Sequence, residues 1–125
     1  TALENVCYPM DMKGAPDAEV KAQARQLLNS VGIRKKLYRR YPANLSGGEQ
    51  QRVAIARALA TGAQMILADE PTGNLDTENG KRIMEILIDL AHNHGYGVVI
   101  VTHDPTIAEA SDLVYRLTDG IIVNV

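Results

Sequence analysis

Apolar positions follow two different periods along this chain, and the switches between them mark its elements. From Asp17 onward Val20, Ala24, Leu27, Leu28 and Val31 recur at helical spacing, with Glu19, Lys21, Gln23 and Arg25 on the solvated face and Gly32 as a stop. A second helix opens at Ser46. Its stripe of Val53, Ala56, Leu59 and Ala60 is narrow and rich in alanine, which implies close packing, and Thr61-Gly62 ends it. A third, Thr77 to Asn93, is amphipathic through Ile83, Ile86, Leu87 and Leu90 and suits a crossover. Met65–Ala68 and Val98–Val101 are instead continuous apolar runs, the pattern of parallel strands buried on both faces. A short helix fits Thr106 to Ala110. Leu113–Leu117 and Ile121–Val125 flank Asp119-Gly120, a hairpin signal. Thr1 to Met12 begins apolar and then reaches Pro9 and Gly14, so it reads as an irregular lead-in. The order β-α-β-α-β predicts an α/β fold with an open, mainly parallel sheet.

Composition adds bounds. A chain of 125 residues accommodates one domain or a piece of one. Phe and Trp are absent, so the core must rest on Leu, Ile, Val, Ala and Met. The net charge of −2 argues against a basic nucleic-acid surface, though it leaves room for a local patch. One such cluster exists: Arg34-Lys35-Lys36-Leu37-Tyr38-Arg39-Arg40, in a short turn or helix that Tyr41-Pro42 breaks. It reads either as a plain exposed turn or as a contact for acidic partners or lipid headgroups. Cys7 is alone, which permits no internal disulfide and suits a reducing compartment. No apolar run approaches the ~20 residues that span a bilayer. The first residue is Thr1, which is expected to mark a processed or truncated chain.

Candidate chemistry gathers at element ends. Ser46-Gly47-Gly48 lies at a helix start, where free amides and the helix dipole attract phosphate. Glycines there remove the Cβ atoms that would hold an anion away. Ser46 and Glu49 also have capping-box spacing, so a plain capped helix is the competing reading. Asp69 and Glu70 follow an apolar strand, and open α/β sheets bind ligands beyond the carboxyl ends of their strands. Asp69 suits Mg²⁺, a hard cation, and Glu70 suits the orientation or deprotonation of an attacking water. Adjacent strand residues point to opposite faces, so the strand must end here for both to serve. His103 ends the next strand in the equivalent position and can donate to a terminal phosphate. His92 and His94 are two apart, which does not place them on one helix face. The chain has no Gly-x-x-x-x-Gly-Lys-Ser/Thr phosphate loop.

Four motifs in one order then resemble a known family. Leu45-Ser46-Gly47-Gly48-Glu49-Gln50-Gln51-Arg52, Leu67-Ala68-Asp69-Glu70-Pro71, Asn74-Leu75-Asp76 and Thr102-His103-Asp104 are similar to the nucleotide-binding domain of ATP-binding cassette (ABC) transporters. In the family's terms they are the signature motif, Walker B, the D-loop and the switch histidine. The resemblance covers essentially the whole chain, as the C-terminal part of a P-loop NTPase-type core without Walker A. It implies a helical subdomain over residues 1–62 and the end of the catalytic core over residues 63–125.

The resemblance also implies roles. Ser46, Gly47, Gly48, Glu49 and Gln50 would meet the ATP of a second subunit in a head-to-tail dimer, with Asp76 at the dimer interface. Asp69 would support Mg²⁺, Glu70 would be the catalytic base, and His103 would contact the γ-phosphate. The expected function is ATP hydrolysis that energises a transmembrane permease, from the cytoplasmic face of the inner membrane. Nucleic acid is not an expected partner. The wording of residues 67–76 resembles the subgroup of lipoprotein-release, macrolide-export and cell-division ATPases, some of which transmit force and transport nothing. Soluble ABC-type ATPases of DNA repair or translation are the alternative. They usually carry coiled coils or zinc-binding cysteines, and this chain shows neither.

Overall fold

The computed structural model describes residues 1–124. Its elements run α1 (Ala2–Asp11), α2 (Asp17–Ser30), short 3-10 turns at Lys35–Leu37 and Pro42–Asn44, α3 (Gly47–Ala60), β1 (Met65–Asp69), α4 (Thr77–His94), β2 (Gly97–Val101), α5 (Pro105–Glu109), β3 (Tyr115–Thr118) and β4 (Ile121–Asn124). The expected strand at Ile121–Val125 is thus present to Asn124; Val125 lies outside the described residues.

The lead-in is not irregular. Thr1 to Asp11 forms a capped helix: the Thr1 hydroxyl accepts from the Glu4 amide, and Glu4 returns to the Thr1 amine. Pro9 sits inside α1, where it removes one donor. Burial outweighs that cost, because Ala2, Val6, Cys7 and Met10 all lie on one stripe turned into the core. The first amides of α1 find carbonyls elsewhere: Ala2 N donates to Arg40 O and Leu3 N to Tyr38 O, each at 2.9 Å.

Helices α1, α2 and α3 pack on one another, and α3 also meets α4. One continuous core runs through them. Val20, Ala24 and Leu28 of α2 and Val53, Ala56 and Leu59 of α3 join Ile83, Leu87 and Leu90 of α4 and Ile66 of β1. Arg52 is the only charged side chain buried among the described residues, at 7% exposure. Helix α4 ends where Gly95 turns into the left-handed region at φ 71° and its amide donates to Leu90 O, a stop that a side chain would strain.

Strands β1 and β2 pair in parallel, in the register Met65↔Gly97 through Asp69↔Val101. Their expected burial on both faces is not what the structure shows. Ile66, Ala68, Val98 and Ile100 pack toward the core, whereas Met65, Leu67, Val99 and Val101 are exposed. The helices cover only one side of this sheet. The hairpin forms as expected: Asp119 (φ 50°) and Gly120 (φ 78°) supply the two positive φ angles of a tight turn whose twist matches the strands. Among the described residues it makes a sheet of its own and does not extend β1–β2.

Candidate functional site

Strand β1 delivers its two carboxylates by stopping between them. Asp69 is the last paired residue, opposite Val101. Glu70 then adopts φ 45°, in the left-handed region, while its amide still donates to Val101 O at 2.8 Å. That conformation costs a non-glycine residue about 1–2 kcal/mol. It breaks the strand's alternation, so Glu70 is released from the opposite face and both carboxylates can serve the strand's carboxyl end. The surroundings fix the arrangement. Glu70 Oε2 accepts from Thr102 Oγ1 at 3.2 Å, and Oε1 accepts from the His103 amide at 3.1 Å. Oε1 also lies 2.6 Å from His103 Nδ1.

These contacts set the charges. The His103 hydrogen bond, helped by Thr102 and by the imidazolium charge, holds the Glu70 carboxyl below its ordinary 4.5. In return Glu70 raises His103 above its ordinary 6.5. The Thr102 hydroxyl accepts from the Asp104 amide at 3.0 Å, which leaves its proton for Glu70. Asp104 in turn caps α5 through the Thr106 amide and hydroxyl. The His103 ring remains 87% exposed.

Asp69 stands apart. Its side chain is exposed and accepts no hydrogen bond among the described residues. A free carboxylate at the carboxyl end of a strand fits Mg²⁺, which binds through one or two carboxylates and takes its remaining oxygens from water and phosphate.

A second cluster forms where α3 and α4 begin. Ser46 caps α3 with a full capping box: its Oγ accepts from the Glu49 amide at 3.2 Å, and the Ser46 amide donates to Glu49 Oε2 at 2.9 Å. The Ser46 hydroxyl proton stays available. The Gly47 and Gly48 amides donate to no protein acceptor among the described residues. Gly47 is open to solvent, whereas Gly48 is buried. A Cβ on Gly48 would lie 2.4 Å from Asn79 Oδ1 and 3.0 Å from Asn79 Cβ. Close approach of α4 therefore requires a glycine there, independently of any anion. Gln50 does not face this opening. Its Nε2 donates to Pro42 O and Leu45 O, at 3.0 and 3.1 Å, and so holds the turn before the helix.

Asp76 belongs to the same cluster as the cap of α4. It accepts from the Asn79 amide at 3.0 Å and from Asn79 Nδ2 at 2.6 Å, bonds that lower its pKa. Residues 71–75 connect the two clusters: Gly73 packs beside Glu70, and a Cβ on Gly47 would lie 3.2 Å from Leu75 Cδ2. No hydrogen bond joins Ser46–Gly48 to Glu70 or His103 among the described residues. Thr102 and Asn79 are the contacts that sequence reasoning missed. Asp76-x-x-Asn79 has the spacing of a cap, a signal that was there to read. Arg52, one turn into α3, is pushed down in pKa by burial and then by Arg82, with Glu49 opposing; its Nε and Nη1 have no partner among the described residues. His92 and His94 pair with Asp112 and Asp89, at 3.0 and 3.3 Å.

A family model described as "ABC transporter" matches residues 1–73, more than half of the chain. The chain belongs to the ABC transporter family. This cassette segment is 48% identical over 123 residues to the lipoprotein-releasing system ATP-binding protein LolD of Aquifex aeolicus, covering 98% of the segment and 54% of LolD. It is 46% identical to the macrolide export ATP-binding/permease protein MacB of Bradyrhizobium diazoefficiens, covering 98% of the segment and 18% of that protein. Among solved structures it matches a dimeric ATP-binding cassette in a post-hydrolysis state with ADP and Pi, at a TM-score of 0.84 and 41% identity, covering 98% of the segment and 54% of that chain. The segment thus spans about half of a separate cassette and about a fifth of the fused ATP-binding/permease proteins. The α/β architecture read from the sequence is the architecture of these cassettes.

Proposed function

We propose that these residues form the signature, Walker B, D-loop and switch-histidine half of an ATPase that works as a head-to-tail dimer. The observation that carries the reading is the Glu70 centre: an ionised carboxylate at a strand end, fixed by Thr102 and His103 and released from the strand by its left-handed turn. A carboxylate so held orients and polarises a water beside it. Its contact with His103 is the latch: a γ-phosphate that draws the exposed imidazolium away frees Glu70 Oε1 for that water. Asp69 would hold Mg²⁺, which when bound neutralises developing phosphate charge.

Ser46 and Gly47, with a free hydroxyl proton and an open amide at a helix start, suit a phosphate brought to them from outside. The solved dimer with ADP and Pi supports the assignment of that phosphate to a second cassette. Gly48 and Asp76 act beneath this surface, through Asn79, and Glu49 and Gln50 hold its shape. In this reading residues 1–62 are the helical subdomain that answers to a transmembrane permease, and residues 63–125 belong to the catalytic core. The assembly works at the cytoplasmic face of the inner membrane and belongs with the lipoprotein-release and macrolide-export ATPases, whose names its relatives bear.

The experiment is Glu70→Gln in a full-length cassette carrying these residues. Steady-state ATP turnover is expected to fall at least about a hundredfold, the scale of lost general-base catalysis, with ATP binding preserved. Turnover within threefold of the parent sinks the assignment.

A further inference from the structure

The basic turn between α2 and α3 lies in the subdomain assigned above to the permease side, but none of its residues has been given a role of its own. Of the chain's thirteen Lys and Arg, five fall within Arg34–Arg40, which leaves eight to face fifteen Asp and Glu elsewhere. The cluster is therefore a cationic pole on an otherwise acidic protein. Arg34, Lys35, Lys36, Arg39 and Arg40 are all exposed, and none lies within salt-bridge distance of a carboxylate among the described residues. The fold nevertheless holds the segment firmly. Leu37 and Tyr38 are buried anchors, the Tyr38 hydroxyl donates to Arg25 O at 3.1 Å, and the carbonyls of Tyr38 and Arg40 accept the first amides of α1. Five cations fixed together without counter-charges repel one another, an arrangement that an external anionic surface relieves. Directly after them stands Tyr41, 64% exposed, an aromatic of the kind that settles at headgroup level.

We propose that this turn is a docking patch for anionic lipid headgroups, by which the protein touches the bilayer directly and not only through a permease. Choice of a membrane over an acidic protein rests on three features. The cations are spread over a solvated turn, none of them is paired with a carboxylate among the described residues, and an exposed tyrosine lies beside them. The membrane location belongs to the proposed function, but the patch is tested without ATP.

The test is flotation of the full chain with phosphatidylcholine vesicles containing about 30% phosphatidylglycerol, at low salt and at 0.5 M salt. Each basic side chain near such a surface strengthens binding about fivefold. The triple variant Lys35→Gln, Lys36→Gln, Arg39→Gln, checked for an unchanged circular dichroism spectrum, is therefore expected to bind about a hundredfold more weakly. High salt is expected to release the parent chain, since screening then acts within a few ångströms, and pure phosphatidylcholine vesicles are expected not to bind it. The single change Tyr41→Ala, at a side chain 64% exposed, is expected to weaken binding several-fold. Equal binding to neutral and anionic vesicles overturns the proposal. So does a triple variant within threefold of the parent, or binding of single-stranded RNA without vesicle binding. None of these results bears on Glu70, whose assignment stands or falls by ATP turnover.

Discussion

Gly48→Ala offers a perturbation whose size follows from the geometry. The new methyl group would lie 2.4 Å from Asn79 Oδ1, 2.8 Å from its Cγ and 3.0 Å from its Cβ. The end of a side chain can usually swing aside, but here the amide is fastened to Asp76 Oδ2 at 2.6 Å and the Cβ belongs to the first turn of α4. Either α3 and α4 separate slightly or the Asp76 cap is broken. Overpacking of this kind costs about 1–3 kcal/mol. Replacing a helical glycine by alanine returns roughly 0.5–1 kcal/mol through the unfolded chain's lost freedom. The net expectation is a destabilisation of about 1–2 kcal/mol by urea denaturation. Asn79→Ala removes Oδ1 and Cγ, the two nearest atoms, and leaves the Cβ at 3.0 Å, so in that background Gly48→Ala should cost clearly less. The double-mutant cycle should then show a coupling of at least about 1 kcal/mol. A Gly48→Ala protein as stable as the parent, or a cycle with no coupling, would refute the claim that close packing against α4 dictates this glycine.

Three further outcomes follow from the same contacts. Ser46→Ala removes the Oγ that accepts from Glu49 N and should cost about 1 kcal/mol of stability, measured by urea denaturation. Ile83→Ala deletes a fully buried side chain where α4 meets the core and should cost about 2–5 kcal/mol by the same method. The Glu70–His103 pair makes a pH-dependent contribution to stability. Glu70's share is present above 4.5 and lost as pH falls through its depressed folded pKa, and His103's share is present below 6.5 and lost as pH rises through its raised one. An NMR titration should place the His103 midpoint above 6.5, and Glu70→Ala should bring it back toward that value; an unmoved midpoint would show that the pair does not form.

Much of this was legible in the chain because local rules agree with one another. Helices α2, α3 and α4 follow their apolar spacing, with Gly32 and Thr61-Gly62 as stops of the first two, and Asp119-Gly120 makes the hairpin it promised. The capping box at Ser46 and Glu49 formed as spaced. Helix α1 was not legible, because Pro9 and Gly14 read as breakers when taken in isolation. The Thr1–Glu4 box and the buried Ala2, Val6, Cys7 and Met10 stripe override one missing donor. Apolar runs cannot say which of their faces will be covered, so the pattern predicts Leu67 and Val101 buried whereas both are exposed. Asn79 against Gly48 and Thr102 on Glu70 join residues about thirty positions apart, which no periodicity encodes. The sequence could place each carboxylate at a strand end, but only the fold shows the latch between Glu70 and His103.

The most direct test of the dimer reading is ATP-driven dimerisation, followed by light scattering, in a full-length cassette carrying Glu70→Gln with and without Ser46→Arg. If Ser46 serves the partner's nucleotide, the added change abolishes the dimer and leaves the monomer's ATP affinity unchanged. A persistent dimer, or a matching loss of affinity in the monomer, would contradict the account.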